Sequence, residues 1–357
     1  MRAVIVSPSL RMGGAERVAK QQAEQLAQTW EAALLTLEGP SVDFFDAPTG
    51  VRRLHCDGAT SRFNTFKALR RETGEADVVI AHVDHVALWV LAAWFGRRGA
   101  PPIVVVEHQD PRRSPTGWSR RLARRVLYRT ASAVVVLTDS AARWFSDHYG
   151  IDTYVIPNAV ARGAEGRRVN PSIDLLFVGR LAPEKGSDLL CDVLSSPELI
   201  ARDLRTVVAG DGPAADDMKS EAMRRGLRIE FAGAVKDVER LYRTSRILTA
   251  PSRVEGHPLV LLEAMSAGCV PVAFDVETGP REIISHGSDG VLVRSGAVDE
   301  FAAVVAALID EPARLAKMSK NASRAAARFG TSMQEERWDD LFSSIGVGRT
   351  SSMEEAP

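Results

Sequence analysis

The residues of this 357-residue chain that could do chemistry fall in a few short stretches. In VGRLAPEKG (178–186), Arg180 follows an apolar run and Lys185 stands at the edge of the next helix. Two cations meeting on one rim would neutralise a pyrophosphate, the arginine through its planar fork and the lysine as a point charge. As ordinary surface charges they would need no such context. In PSRVEGHPLVLLEAMSAGCVPV (251–272), Glu255 and Glu263 are separated by seven residues. Gly256 and Pro258 mark a tight turn into a helix, with the proline near its first position. Amide N–H groups around Leu259 and Val260 then point at the rim, where a helix end favours a diphosphate. Glu263, about one turn in, can reach back toward a diol such as a ribose. The alternative is a capping Glu255 and a solvated Glu263, which sits poorly with the apolar run around it.

Two further stretches follow apolar runs. SPSLRMGGAERV (7–18) places Gly13 and Gly14 where a loop turns into a helix, so that backbone can approach a ligand closely and expose N–H groups to it. EHQDP (107–111) sets His108 at the end of a strand-like run, a position as compatible with a structural role as with a catalytic one. The pattern GxGxxG is missing, which argues against a dinucleotide. No D-x-D occurs, so no paired carboxylates for a catalytic divalent ion are visible, and a metal-independent reaction is expected.

These residues need elements to hold them. Short β-branched runs at 3–8, 31–37, 77–82, 103–108, 133–138 and 153–158 alternate with helix-like stretches such as 14–28 and 119–131. Nearly continuous apolar strands with helical crossovers mean a parallel sheet covered on both faces. The rhythm breaks at the Gly- and Arg-rich segment 161–172, read as a linker. It restarts with strands at 174–180, 205–211, 228–233, 247–252, 270–274 and 290–293. Helices are expected near 186–195, 213–226, 237–244, 258–267, 279–285 and 298–309. The domains are therefore 1–160 and 173–330, followed by a helix within 331–347 and a polar tail at 348–357. In an open parallel sheet, ligands bind beyond the carboxyl ends of the strands, where each stretch above lies.

Composition narrows the class. Hydrophobic residues at 45 % and charged residues at 25 % are those of a globular chain. A net charge of −1 and the absence of recognition motifs disfavour nucleic acid. Residues 1–165 hold 21 Lys and Arg against 17 Asp and Glu, a mild excess that could suit an anionic acceptor or membrane surface. Cys56, Cys191 and Cys269 are odd in number and widely spaced, which fits a reducing cytoplasm. No signal peptide and no spanning helix are expected. The segment 111–129 carries Arg120, Arg121, Arg124, Arg125 and Arg129 among Trp118, Leu122, Val126 and Leu127. It reads either as a peripheral helix on an anionic membrane or as a crossover helix with its apolar stripe on the sheet.

Taken together, GGAERV (13–18), VGRLAPEKG (178–186), AGDGP (209–213) and EGHPLVLLEAMSAG (255–268) resemble the retaining glycosyltransferases of family four, across essentially the whole chain. The resemblance implies the α/β GT-B fold: two Rossmann-like doubly wound domains, an active site in the interdomain cleft, and a last helix crossing back to the N-terminal domain. It implies that Arg180 and Lys185 bind the donor diphosphate, that Glu263 binds the ribose and that Glu255 sits beside the transferred sugar. His108 would approach the sugar hydroxyls and the reacting centre, and Gly13 and Gly14 would lie near the donor phosphate and acceptor. The backbone at Ala234 and Val235 would meet the base. Gly256, His257, Pro258, Leu259 and Val260 complete the donor-binding set.

GGAERV, EHQDPRRSP and the Arg-rich helix are similar to the subgroup that moves N-acetylhexosamine onto lipid-linked or polysaccharide precursors. Glu107, His108, Gln109, Asp110 and Pro111 depart from that subgroup's Glu-Arg-Asn-Asp-Pro. The implied partners are a UDP-sugar donor and a glycan, lipid-linked or small-molecule acceptor, with no cofactor. Hexosyl or mannosyl transfer from UDP-Glc or GDP-Man, a GT-B epimerase, and a periplasmic-type binding protein remain alternatives; the last would need an export signal.

Overall fold

The computed structural model describes residues 1–56, 62–113, 117–160 and 171–348. Most of the expected linker 161–172, nearly all of the tail 348–357 and residues 114–116 of the basic segment lie outside the described residues. The chain divides into two compact units, one of Met1–Ile156 with the chain from Gln334 onward, the other of Pro157–Met333.

The first unit runs β1 (Arg2–Ser7), α1 (Gly14–Leu26), β2 (Glu31–Thr36), β3 (Arg52–His55), α2 (Arg62–Thr73), β4 (Val78–His82), α3 (Asp84–Trp94), β5 (Ile103–Glu107), α4 (Trp118–Leu127), β6 (Ala133–Val136), α5 (Asp139–Tyr149) and β7 (Tyr154–Val155). Its seven strands lie in the order β3-β2-β1-β4-β5-β6-β7, all parallel. Strand β1 is buried on both faces, and its side chains alternate between two cores: Val4 and Val6 join one, Ala3 and Ile5 the other. That period of two is why these strands read as unbroken apolar runs.

The second unit runs β8 (Ile173–Val178), α6 (Ser187–Leu194), α7 (Pro197–Ile200), β9 (Thr206–Ala209), α8 (Ala215–Arg224), β10 (Ile229–Gly233), α9 (Glu239–Thr244), β11 (Ser245–Ala250), α10 (Leu259–Ser266), β12 (Val270–Asp275), α11 (Pro280–Ile283), β13 (Val291–Arg294), α12 (Val298–Asp310) and α13 (Pro312–Ala326). Its six parallel strands take the order β10-β9-β8-β11-β12-β13, the doubly wound plan of dinucleotide-binding domains. The order reverses between β8 and β11, as it does between β1 and β4 in the first unit. Each switch point opens a crevice at the carboxyl ends of its strands.

The last helix, α14 (Thr331–Ser344), leaves the second unit and packs Trp338, Leu341 and Phe342 into the core of the first, against the sheet face lined by Ile5, Leu34 and Ile80. Burying side chains of this size stabilises by roughly 1.5–3 kcal/mol each. Among the described residues, no helix is long and apolar enough to cross a membrane.

Candidate functional site

In the second unit, the loops that leave β8 and β11 flank the switch point. The first carries Arg180 and Lys185, the second Glu255 through Pro258. Lys185 ends a single 3₁₀ turn, Pro183–Lys185, closed by Gly186 in the left-handed region at φ 69°. A Cβ on Gly186 would stand 1.9 Å from the Pro251 carbonyl oxygen, so only glycine lets the two loops approach this closely. Arg253 then stitches them. Its backbone N–H donates to Glu184 O at 2.9 Å, and its guanidinium donates to Pro183 O at 2.6 Å and to both oxygens of Asp188 at 2.7 and 2.6 Å. These hydrogen bonds hold the Asp188 carboxyl below its usual range.

On this platform the Lys185 ammonium donates to both oxygens of Glu255 at 2.8 Å. Glu255 is buried and Lys185 half-buried. The turn behind Glu255 is anchored through its backbone. Thr278 Oγ1 donates to Glu255 O, and Asn158 Nδ2 donates to His257 O at 2.8 Å. Gly279, at φ 87°, lies so close that a Cβ would stand 2.5 Å from Gly256 O. Helix α10 starts at Leu259 with Pro258 as its N-cap and no side-chain cap, so its first amides carry the positive end of the helix dipole at this rim. His257 is buried and its pKa is driven down to about 3, first by burial and then by Arg328, so it adds no charge.

The other expected donor residues are more loosely placed. Arg180 is 57 % exposed and turns to Glu184, four residues on, instead of joining Lys185. Both cations thus have a carboxylate partner, and the rim is not the bare pair of positive charges that their spacing implies. Glu263 is half-buried on α10 and accepts from the Tyr242 hydroxyl at 3.0 Å. Ala234 is exposed and Val235 half-buried, immediately past β10. Among the described residues, no three His, Cys, Asp or Glu side chains gather as a metal site would require. Arg253, Asp188 and Thr278 went unnoticed in the sequence, because their partners are loops that only the sheet brings together.

In the first unit, α1 begins at Gly14 with Gly13 as its N-cap, and the Glu16 carboxylate lies against Gly13. That helix end is therefore covered by its own acid, unlike the open end expected from the glycines. His108 follows β5 and is half-buried; burial lowers its pKa to about 4. Its Nε2 lies 2.7 Å from Nδ1 of His82, the last residue of β4, and the rings stack at 5.0 Å between centroids. His82 was overlooked because it ends an apolar strand without any motif.

Helix α4 corrects the crossover reading of the basic segment. Arg124 points inward, fully buried, and pairs with buried Glu107 at 2.8 Å. The guanidinium lies 4.6 Å from the Phe145 ring centre, and Tyr128 OH also donates to Glu107. Trp118, Leu122 and Val126 point outward, 80 %, 54 % and 45 % exposed. The strand-end carboxylate at Glu107 demands a cation, so the helix turns Arg124 inward and its apolar stripe out, with its other arginines exposed.

The profile described as Glycosyltransferase Family 4 matches residues 12–162, and that described as Glycosyl transferases group 1 matches residues 164–325. An exopolysaccharide phosphotransferase of Streptomyces coelicolor is 30 % identical over 60 % of this chain, which spans only 23 % of that relative's length. A Campylobacter jejuni α-1,4-N-acetyl-D-galactosaminyltransferase, acting on a GalNAc-bearing undecaprenyl diphosphate, is 25 % identical over 97 % of this chain and 99 % of its own. The solved structure of Anabaena HepE in complex with UDP-glucose superposes with a TM-score of 0.81, at 20 % identity, over 96 % of this chain and 100 % of that one.

Proposed function

We propose, from the premise that the chain belongs to the family 4-type glycosyltransferases of the GT-B fold, that it transfers an N-acetylhexosamine from a UDP donor with retention of configuration. The acceptor is a glycan, a lipid-linked sugar or a natural product. The observation that carries this reading is the Lys185–Glu255 pair at the uncapped start of α10. Cleavage of the anomeric C–O bond puts negative charge on the departing diphosphate and positive charge on the sugar ring. An ammonium and helix amides fixed beside the phosphates stabilise the first charge more in the transition state than in the ground state. The adjacent Glu255 carboxylate favours the second.

Glu263 takes the ribose, the backbone at Ala234 and Val235 takes the base, and His108 takes a sugar hydroxyl. Gly13 and Gly14 border the donor phosphate and acceptor. The full-length likeness to a GalNAc transferase supports the N-acetylhexosamine, and the HepE complex supports the uridine nucleotide. UDP-GalNAc, UDP-GlcNAc, UDP-Glc and GDP-Man, each tested for thermal stabilisation and hydrolysis in EDTA, decide the donor. A UDP-N-acetylhexosamine should give the largest shift and turn over without added metal. Preference for GDP-Man, or activity restored only by Mg²⁺ or Mn²⁺, would oppose the reading.

The enzyme would work peripherally on the inner face of the cytoplasmic membrane through α4. Trp118, Leu122 and Val126 recur every four residues along one outward stripe, flanked by exposed Arg121, Arg125 and Arg129. Arginine near an anionic bilayer contributes about 1 kcal/mol each. Flotation with phosphatidylglycerol vesicles should recover the protein at low salt, and recovery should fall several-fold for Trp118→Ala with Leu122→Ala. Equal recovery with neutral vesicles and for the variant would remove the membrane role.

A further inference from the structure

A chain of three side chains in the first unit runs inward from the rim. His108 Nε2 lies 2.7 Å from His82 Nδ1, and His82 Nε2 lies 2.7 Å from Gln22 Oε1 on α1. His82 is fully buried and Gln22 nearly so. Gln22 Nε2 is buried without a hydrogen-bond partner, so the amide's one engaged atom is the oxygen that faces His82. Burial holds both imidazoles neutral near pH 7, driving His82 well below its ordinary value and His108 to about 4.

Each neutral ring owns one N–H, which fixes the direction of the chain. An amide oxygen only accepts, so His82 must donate through Nε2. Its Nδ1 then holds a lone pair and accepts from His108 Nε2–H. His108, half-buried at the rim, is left with a lone pair on Nδ1, an atom with no hydrogen-bond partner among the described residues. The backbone reinforces the arrangement. Val83, the residue after His82, sits at φ 63°, a conformation that a β-branched residue adopts only under constraint. Its N–H is pinned to Val106 O at 3.0 Å, on the strand that leads into His108.

We infer that Gln22 and His82 are positioning residues that lock His108 as its Nε2–H tautomer and present Nδ1 as the acceptor for a hydroxyl of the transferred sugar. This rests on the reading of His108 given above. A hydroxyl on a ring that is becoming an oxocarbenium ion grows more acidic, so its hydrogen bond to an acceptor strengthens toward the transition state. A neutral acceptor also keeps positive charge away from that ring.

Gln22→Lys tests the direction of the chain. An ammonium has donors and no acceptor, so His82 must accept at Nε2 and carry its proton on Nδ1. His82 Nδ1–H then donates to His108 Nε2, and the proton of His108 moves to Nδ1. The tautomer is read from ¹⁵N-edited imidazole spectra of the full-length protein at pH 7, with His108 assigned by His108→Asn.

The wild type should show Nδ1 unprotonated and Gln22→Lys should show it protonated, with UDP-GalNAc hydrolysis slowed about tenfold in kcat and little change in KM. If Gln22→Lys does not fold, Gln22→Met should give a mixture of both tautomers. A wild-type Nδ1–H, or a tautomer indifferent to residue 22, overturns the relay. A reversed tautomer with unchanged kcat leaves the relay in place and overturns the role of His108 at the sugar.

Discussion

Alanine at Lys185 should lower turnover at saturating UDP-sugar by about 10²–10³-fold, the loss that follows removal of one fixed donor to a developing oxyanion. The argument is electrostatic. Lys185 is the only expected donor cation held in a defined place, by two hydrogen bonds to a buried carboxylate on a platform stitched by Arg253. A leaving diphosphate draws on that charge most at the transition state, so kcat should fall more than KM rises. Arg180, exposed and turned to Glu184, should cost less when replaced by alanine.

Removing Lys185 also leaves Glu255 buried without its cation, so damage to the fold must be separated from damage to catalysis. Lys185→Met with Glu255→Gln removes both charges and restores the balance of the pocket. It should melt near the wild-type temperature while staying inactive. Wild-type turnover in either variant would sink the diphosphate assignment.

Arg124→Ala should destabilise the first unit by about 3–5 kcal/mol, the usual consequence of stripping one partner from a buried ion pair. Glu107 is only 3 % exposed and keeps no other cation at bonding distance among the described residues. Burial already raises the Glu107 pKa, against the opposing pull of Arg124 and the Tyr128 hydrogen bond. Without the arginine, the folded protein would hold Glu107 protonated to still higher pH than the unfolded chain does. A carboxyl whose folded pKa lies above its unfolded value loses stability as pH rises through that window. The deficit of Arg124→Ala should therefore be greatest near pH 8 and shrink toward pH 5, as followed by urea midpoints. Arg125→Ala, one residue on but exposed, should leave the midpoint within about 0.5 kcal/mol of wild type. Equal midpoints for the two variants would show that the buried pair contributes nothing.

Much of the architecture was legible because it is written in local periodicity. Unbroken apolar strands and amphipathic helices named a doubly wound parallel sheet twice over, and the loops after β8 and β11 announced themselves by glycine, proline and charge. Strand β3 was missed because Arg52–His55 is an edge strand with little buried surface, so it lacks the apolar run that marks its neighbours. Helix α4 was legible as a helix but not in its rotation. Trp118, Leu122 and Val126 form a regular stripe, and only the buried acid at Glu107, brought near by sheet pairing, decides that the stripe faces out. The His82–His108 contact was hidden for the same reason: two histidines ending two strands become neighbours only once β4 and β5 pair. Lys185 and Glu255, 70 residues apart, were assigned separate duties and prove to be bonded.

The route of α14 has one more consequence. Trp338, Leu341 and Phe342 are translated only after the whole of the second unit, yet they close the hydrophobic layer of the first unit's sheet. A nascent polypeptide ending at Ile156 would present Ile5, Leu34 and Ile80 with that layer unfinished. Among the described residues, both core clusters of the second unit draw on Pro157–Met333 alone, so along the direction of translation the second unit can mature before the first.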